Sequence, residues 1–408
     1  MKLNEKQDFA YKQMINNKNI MLSGPAGTGK SYLMKTFYNN YKNSKTIALT
    51  STTGTSAIVL GGTTLHSYLG IGLGVKSVKD LVIKINSKGY LKNKWRKLDV
   101  LIIDEVSMMT PTLFDKLEEI ARLVRNNNVF FGGIQLILSG DFLQIPCVNT
   151  SQFVFESENW NSGIDHTIEL TEIVRQRNRT FQNCLNKIRV GNIDDDVKSI
   201  LNSRIGIKLE NKYGIKPTKL FSLNVNVDKM NEEELMKSDN EIYEYEMDIS
   251  CVNPNKVEFY KNNCIAMEKL RLTLGAQVML LVNMDIENGL ANGSRGIVTG
   301  FNEEYVPIVR FVNGEERLID YHVWNMEDKK LECTISQIPL KLAYAQSIHK
   351  AQGSTLDYVE IKLSDVFDYG QAYVGLSRCK SLEGLSIIDI DWSKINAHPK
   401  ALEFYRSI

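Results

Sequence analysis

The stretch NIMLSGPAGTGKSYLMKTFYNNYK, Asn19 to Lys42, decides the fold. Ile20, Met21 and Leu22 begin a short apolar strand, and the segment after Ser31 carries its apolar residues at helical spacing. Between them GPAGTGKS, Gly24 to Ser31, satisfies G-x-x-x-x-G-K-[ST] in the strand-to-helix setting that the motif requires. Glycines let backbone N–H groups wrap phosphate oxygens, and the start of the following helix favours their negative charge. Gly24, Pro25, Ala26, Gly27, Thr28 and Gly29 are thus the expected cradle of a nucleotide, with Lys30 on the outer phosphates and Ser31 on Mg²⁺.

Outward from this stretch, KTIALTST (45 to 52), VLIIDE (100 to 105) and IQLILSGD (134 to 141) are further strand-like runs with helix-period segments between them. That alternation predicts a parallel sheet covered by helices, with ligands at the carboxyl ends of its strands. LIIDE delivers Asp104 and Glu105 to that edge. Asp104 suits Mg²⁺ coordination and Glu105 suits orienting and deprotonating an attacking water, so the pair points to hydrolysis rather than nucleotide storage. Gln144, in FFGGIQLILSGDFLQIPCV, reaches the same edge. It reads either as the polar end of a strand or as an amide that bonds phosphate or water when nucleotide is present. Gln7, in LNEKQDFAY, is read either as a partner for both edges of adenine or as a surface helix residue.

Composition fits an ordinary globular protein of two to three domains: 408 residues, 43% hydrophobic and 24% charged. A net charge of +1 excludes a globally basic nucleic-acid binder, so any polyanion site must be local. The six cysteines are scattered without Cys-x-x-Cys or zinc-ligand spacing, which predicts reduced thiols in an intracellular protein. The N-terminus has neither a signal nor a transit pattern, and no apolar run approaches membrane-spanning length.

After Gln176 the apolar runs LFSL (220 to 223), LKLAYA (340 to 345), VEIKL (359 to 363) and LSIIDI (385 to 390) predict a second α/β sheet. It is interrupted by short β-rich runs, QVMLLVN, RGIVTGF, VPIVRFV and ERLIDYH, with a hairpin signal at Val312 to Glu315. A small inserted antiparallel β-barrel fits. Trp324 and Tyr321 in this insertion read as core residues rather than base platforms. Arg175 in ELTEIVRQ and Arg378 in AYVGLSRCK each follow an apolar segment, and read either as surface ion pairs or as guanidinium groups that reach a transferring phosphoryl group.

With these segments assembled, the chain resembles a superfamily 1 helicase of the PIF type, kin to RecD-like and Dda helicases. The resemblance rests on LNEKQ, GPAGTGKS, TSTTGTSA, TTLHSYLGIG, LIIDEVSMM, LFDKLEEIARLVR with FFGGIQ, SGDFLQIPCV, LTEIVRQ, LGAQVMLLVN, GLANGSRGIVTG, YAQSIHKAQGSTLD and QAYVGLSR, in order and almost end to end. Departures are small: Pro146-Cys147 stands in place of Pro-Pro, and Thr53 and Thr55 flank Gly54. The resemblance implies an α/β fold of two RecA-like P-loop domains with parallel sheets and an SH3-like barrel inserted in the second. It places the first domain at 1–172, with a small wedge insertion near 68–95. The second then falls at 173–224 and 340–408, around the insertion at 225–339.

The implied activity is an ATP-dependent 5′-to-3′ DNA helicase that uses Mg²⁺ and acts as a monomer on single-stranded DNA and duplex junctions. An ATP-regulated single-strand binding protein and an RNA helicase are the competing classes. The implied catalytic residues are Lys30, Asp104, Glu105, Gln144, Arg175 and Arg378, with Gln7 and Gly353 at the nucleotide. Along the strand the resemblance places Thr50, Ser51, Thr52, Thr64, His66 and Ser67 on the first domain and Gln346, Ser347, His349 and Lys350 on the second. His66 and His349 also have bland readings, as a histidine satisfied by backbone and as a helix-surface histidine. Nuclear, bacterial and viral settings all remain open, as does the pathway within genome maintenance.

Overall fold

The structure, a computed structural model, describes residues 3–147, 150–174, 176, 178–209, 213–285, 288, 290, 292–325 and 333–408. The chain divides into two units: Met1–Val197 with Asp368–Val374 and Ile395–Ile408, and Lys198–Phe367 with Gly375–Lys394.

The first unit is built on strands β1 (Ile20–Ser23), β2 (Ile47–Ser51), β3 (Thr63–Thr64), β4 (Val100–Asp104), β5 (Gln135–Ser139) and β6 (His166–Glu169). They form one sheet in the order β3-β2-β4-β5-β1-β6, every pair parallel. The apolar runs are nearly continuous because both faces are covered. Along each strand alternate residues enter two different cores: Met21, Ala48, Leu101, Ile103, Leu136 and Leu138 on one face, Ile20, Leu22, Leu49, Val100, Ile102 and Ile137 on the other. The helices that precede and follow β1, α1 (Glu5–Ile15) and α2 (Lys30–Tyr41), cover the second face. The others follow as α3 (Gly54–Leu60), α4 (Leu65–Leu69), α5 (Val78–Ser87), α6 (Gly89–Lys97), α7 (Pro111–Arg125), α8 (Trp160–Gly163) and α9 (Arg179–Arg189).

Helix α7 starts cleanly, with Thr110 accepting from the Leu113 amide and Pro111 at its first turn. Phe114, Leu117, Ile120, Ala121 and Val124 share its buried face. The FFGG segment after it needs glycine: a Cβ on Gly132, at φ 59°, would lie 2.6 Å from the Ala121 carbonyl oxygen. Arg125 closes the arrangement by donating to the carbonyls of Gly132 at 2.6 Å, Trp95 at 2.7 Å and Leu98 at 2.8 Å. The entry into β5 is thereby fixed.

In the second unit β7 (Thr218–Phe221) is followed by β8 (Ile242–Glu246), β9 (Asp248–Cys251), β10 (Lys269–Thr273), β11 (Gln277–Leu280), β12 (Arg295–Phe301), β13 (Pro307–Phe311) and β14 (Glu316–Leu318). Then come β15 (His322–Asn325), β16 (Cys333–Gln337), β17 (Leu340–Leu342), β18 (Ala345–Ser347), β19 (Val359–Ile361) and β20 (Leu385–Ile387). A parallel sheet has the order β18-β7-β19-β20, and an antiparallel one the order β14-β13-β12-β11-β17. The run LKLAYA is therefore two strands. Leu340–Leu342 pairs with β11, and the chain crosses at Ala343 and Tyr344 into the parallel sheet. Its unbroken apolar pattern hides the break. The hairpin forms at Val312 to Glu315, with Gly314 at φ 95°. Arg295 of β12 is buried and donates to the carbonyls of Lys216 at 2.6 Å and Tyr358 at 3.2 Å, just ahead of β7 and β19. Burial pulls its pKa down to about 10.

Two expectations change. Cys251 and Cys333 sit directly opposite each other on β9 and β16 and are joined by a disulfide, while Cys147, Cys184, Cys264 and Cys379 are not in disulfides. Scattered spacing gave no sign of a pairing set by strand register. The C-terminal helix Pro399–Arg406 packs in the first unit rather than the second, with Ala401 buried in its core. Among the described residues no helix is long and apolar enough to cross a membrane.

The C-terminal helix is held by a buried charge. Asp141, fully buried, accepts from Arg189 at 2.9 and 3.0 Å and from the Tyr405 hydroxyl at 2.9 Å. The other end of the Arg189 guanidinium donates to Glu169 at 3.0 Å, and its plane lies 4.6 Å from the Tyr405 ring centre. Tyr405 also bonds Ser23 at the end of β1. Burial alone pushes the Asp141 carboxyl up, but Arg189, Lys30 and the Tyr405 hydroxyl outweigh it and hold the group below its ordinary value. Its contribution to stability is therefore present above the ordinary carboxylate range and is lost as pH falls through the lower folded value. Arg189→Met leaves a buried carboxylate unpaired, and is expected to destabilise the first unit by about 3–5 kcal/mol. Adding Asp141→Asn should recover part of that loss. Thermal melts of the single and double variants measure both, and equal melting of Arg189→Met and the native chain would contradict the assignment.

Candidate nucleotide site and surrounding polar residues

The phosphate loop leaves β1 in conformations that suit glycine. Gly24 has φ 128°, and a Cβ there would lie 2.1 Å from the Leu170 carbonyl oxygen; Gly27 and Gly29 have φ 83° and 86°. Helix α2 then starts at Lys30 with no side chain capping it, so its first amides face the loop's concavity. Thr28 ties the loop internally by donating to the Pro25 carbonyl at 3.0 Å. The Lys30 ammonium donates to the carbonyls of Gly24 at 2.6 Å and Pro25 at 3.0 Å. Burial pulls its pKa below the ordinary value, against the raising effect of Asp141, Glu105 and Asp104.

Gln7 is buried rather than on a helix surface. Its carbonyl oxygen accepts from the Asn4 amide at 3.2 Å in a capping box, and its Nε2 donates to the Thr28 carbonyl at 3.1 Å. Gly29 makes room, since a Cβ there would lie 2.8 Å from that Nε2. In this arrangement Gln7 braces the loop from behind, with both ends of its amide bonded to protein.

Asp104 ends β4 on the face shared with α2, as the alternation along VLIID requires. Its Oδ2 accepts from the Ser31 hydroxyl at 3.3 Å and from the Ser56 hydroxyl of α3 at 3.2 Å, and its Oδ1 from the Glu105 amide at 3.0 Å. Glu105 adopts φ 53° and ψ 42°, a left-handed backbone that is rare outside glycine and typical of functional sites. Gln144 is 6% exposed and its Oε1 has no hydrogen-bond partner among the described residues, while its backbone N–H donates to the Asp141 carbonyl at 3.1 Å. A buried amide oxygen of this kind retains the capacity to accept a hydrogen bond.

The strand-end hydroxyls divide into two groups. Thr50 and Ser51 are fully buried and donate to the carbonyls of Ile102 at 2.6 Å and Asp104 at 3.2 Å, so they join β2 to β4 instead of facing solvent. Their alternation inside a strand could not separate a buried hydroxyl from a displayed one. Thr52 is half-buried and donates to the Glu105 carbonyl at 2.7 Å. Thr64 caps α4 by accepting from the Ser67 amide at 3.3 Å; His66 is half-buried, which lowers its pKa, and Ser67 is exposed.

The second unit is placed by itself. Gln346 and Ser347 are buried at the end of β18: the Gln346 Nε2 donates to the Lys350 carbonyl at 2.9 Å, and the Ser347 hydroxyl accepts from the Lys350 amide at 3.3 Å. His349 is half-buried and the Lys350 side chain exposed. Gly353 has φ 83° in the following turn. Arg378 is fully buried, and its Nη2 donates to the Ser377 hydroxyl at 2.8 Å. Arg175 lies outside the described residues.

Sequence reading missed Ser56, Arg189 and Tyr405, and also Tyr373, whose hydroxyl accepts from the Ala26 amide at 3.0 Å. Tyr373 lies within QAYVGLSR, and its place in a recognised motif was the available signal.

Comparison with known proteins follows the same outline. The family model described as PIF1-like helicase matches residues 2–199, and that described as DNA helicase Pif1, 2B domain, matches residues 258–301. Uncharacterized protein 030L of Invertebrate iridescent virus 6 is 39% identical over 100% of this chain and 94% of its own length. The ATP-dependent DNA helicase PIF1 of Xenopus laevis is 40% identical over 100% of this chain, which spans 65% of that relative. Among solved structures, Pif1 helicase from Candida albicans aligns with a TM-score of 0.84 at 34% identity, over 100% of this chain and 99% of that one. Pif1 helicase from Bacteroides in complex with ADP-AlF3 and ssDNA aligns with a TM-score of 0.71 at 30% identity, over 100% and 97%.

Proposed function

This chain belongs to the PIF1-like helicase family, and from that premise we propose that it is an ATP-dependent DNA helicase moving 5′ to 3′ on single-stranded DNA. The observation that carries the proposal is the meeting of Ser31, Asp104 and Glu105 beside the open amides at the start of α2. Read this way, a phosphate cradle, oxygens suited to Mg²⁺ and a candidate base would share one strand edge, as nucleotide hydrolysis requires. A solved relative that carries both a nucleotide analogue and single-stranded DNA supports the same reading.

In this reading the amides of Ala26 to Ser31 hold the phosphates, and Lys30 leaves the loop carbonyls to neutralise their outer charge. The hard oxygens of Ser31 and Asp104, 3.3 Å apart, fit Mg²⁺. Mg²⁺, when bound, supplies charge neutralisation on the outer phosphates. Glu105 orients the attacking water and accepts its proton. The unpartnered Gln144 oxygen then takes a donor from that water, which links nucleotide state to the loop it ends. Arg378 and Arg175 supply guanidinium charge to the transferring phosphoryl group. Gln7 acts through the loop it braces.

On the DNA side Thr52, Thr64, His66, Ser67, His349 and Lys350 are the side chains with exposure for backbone contacts, and uncharged donors suit a motor indifferent to sequence. The tip after α4 is the wedge: Leu73, between Gly72 and Gly74, is 85% exposed and Val75, just after Gly74, is 78% exposed, while Lys84 and Lys116 pin the loop through the carbonyls of Gly70 and Gly74. Apolar side chains on a stiff exposed loop suit prying stacked bases apart. The β-rich region around 225–339 is assigned as a small SH3-like barrel.

Unwinding of tailed duplexes tests the direction. With ATP and Mg²⁺ a 5′-tailed duplex should separate and a 3′-tailed one stay intact, and the opposite preference would sink the polarity. In the same assay Leu73→Ser with Val75→Ser should slow separation while single-strand-stimulated hydrolysis persists. For the proposed coupling role, Gln144→Ala should keep nucleotide and DNA binding but lower the stimulation of hydrolysis by DNA about tenfold or more. Full stimulation in that variant would return Gln144 to a structural role.

A further inference from the structure

The phosphate loop is closed on groups of its own chain. Lys30 binds the carbonyls of Gly24 and Pro25, and the amide of Ala26, a member of the nucleotide cradle expected from the loop motif, donates to the Tyr373 hydroxyl at 3.0 Å. Tyr373 is only 2% exposed, and Ala26 is 8% exposed. A phosphate oxygen at that amide competes with the tyrosine hydroxyl for the same hydrogen, because one N–H makes one strong, well-aligned bond. Tyr373 stands in QAYVGLSR, five residues before Arg378.

We propose that Tyr373 is a positioning residue that plugs the phosphate loop: its hydroxyl holds the Ala26 amide until a nucleotide phosphate displaces it. This rests on the reading of Gly24 to Ser31 as a nucleotide site. Displacement exchanges a neutral acceptor for a charged one, which favours the phosphate. It also removes one hydrogen bond from Tyr373 at the moment of phosphate arrival, so nucleotide binding is felt within QAYVGLSR.

Tyr373→Phe keeps the buried ring and removes the competing acceptor. Measured with a non-hydrolysable ATP analogue and Mg²⁺, its affinity should rise about two- to tenfold over the native chain, the range a single hydrogen bond gives. KM for ATP should fall by the same factor. A tyrosine with a merely structural role would lower the melting temperature and leave KM where it was, and an unchanged or weaker affinity would overturn the proposal. As a second measurement in case the phenylalanine variant is unstable, 3-fluorotyrosine placed at position 373 of the otherwise native chain should shift its ¹⁹F resonance when the analogue binds. A resonance that stays fixed while binding is seen by another probe would equally overturn it. Failure of the native chain to bind the analogue would remove the nucleotide site itself, a different result from binding that Tyr373 does not influence.

Discussion

The Asp104 carboxylate is the interaction on which the chemistry of the first unit depends. It accepts hydrogen bonds from Ser31 at the start of α2, from Ser56 in α3 and from the Glu105 amide, and thus ties phosphate loop, neighbouring helix and candidate base to the end of β4. The strand puts it there by simple alternation, since Val100 and Ile102 face the same core and Asp104 is next in phase. Behind it, Asp141 acts in a similar way, as one buried carboxylate that holds Arg189, Tyr405 and, through Tyr405, the end of β1. Two buried carboxylates at the ends of adjacent strands therefore each gather several elements of the first unit.

The phosphate loop is satisfied rather than strained. Lys30 and Tyr373 occupy the carbonyls and the amide that a nucleotide would reorganise, and Gln7 and Thr28 hold the loop from behind. Nucleotide binding as proposed would therefore exchange hydrogen bonds instead of creating them from nothing. Gln144 differs in that its side-chain oxygen has no hydrogen-bond partner among the described residues.

The first unit was legible because its signals are local. The loop motif fixes a turn, the apolar strands fix a sheet, and LIIDE places two acids by period alone. What escaped reading depends on contacts between distant residues. Arg189 and Tyr405 lie 48 and 264 residues from Asp141, and nothing in their own surroundings marks them. Thr50 and Ser51 look like displayed hydroxyls until the register with β4 shows them bonded to it. LKLAYA looks like one strand because both of the sheets it serves demand apolar residues. The disulfide of Cys251 and Cys333 follows from register alone, which spacing does not encode.

The central claim is that hydrolysis at Lys30, Asp104 and Glu105 drives movement on DNA. The most direct measurement is steady-state ATP hydrolysis with saturating single-stranded DNA, made on Lys30→Ala beside the native chain, with DNA binding followed in parallel. The account predicts that the variant binds DNA as the native chain does while hydrolysis falls by roughly a thousandfold, the scale of losing a positioned charge at a transferring phosphoryl group. Hydrolysis near the native rate in a variant that still binds DNA would contradict it.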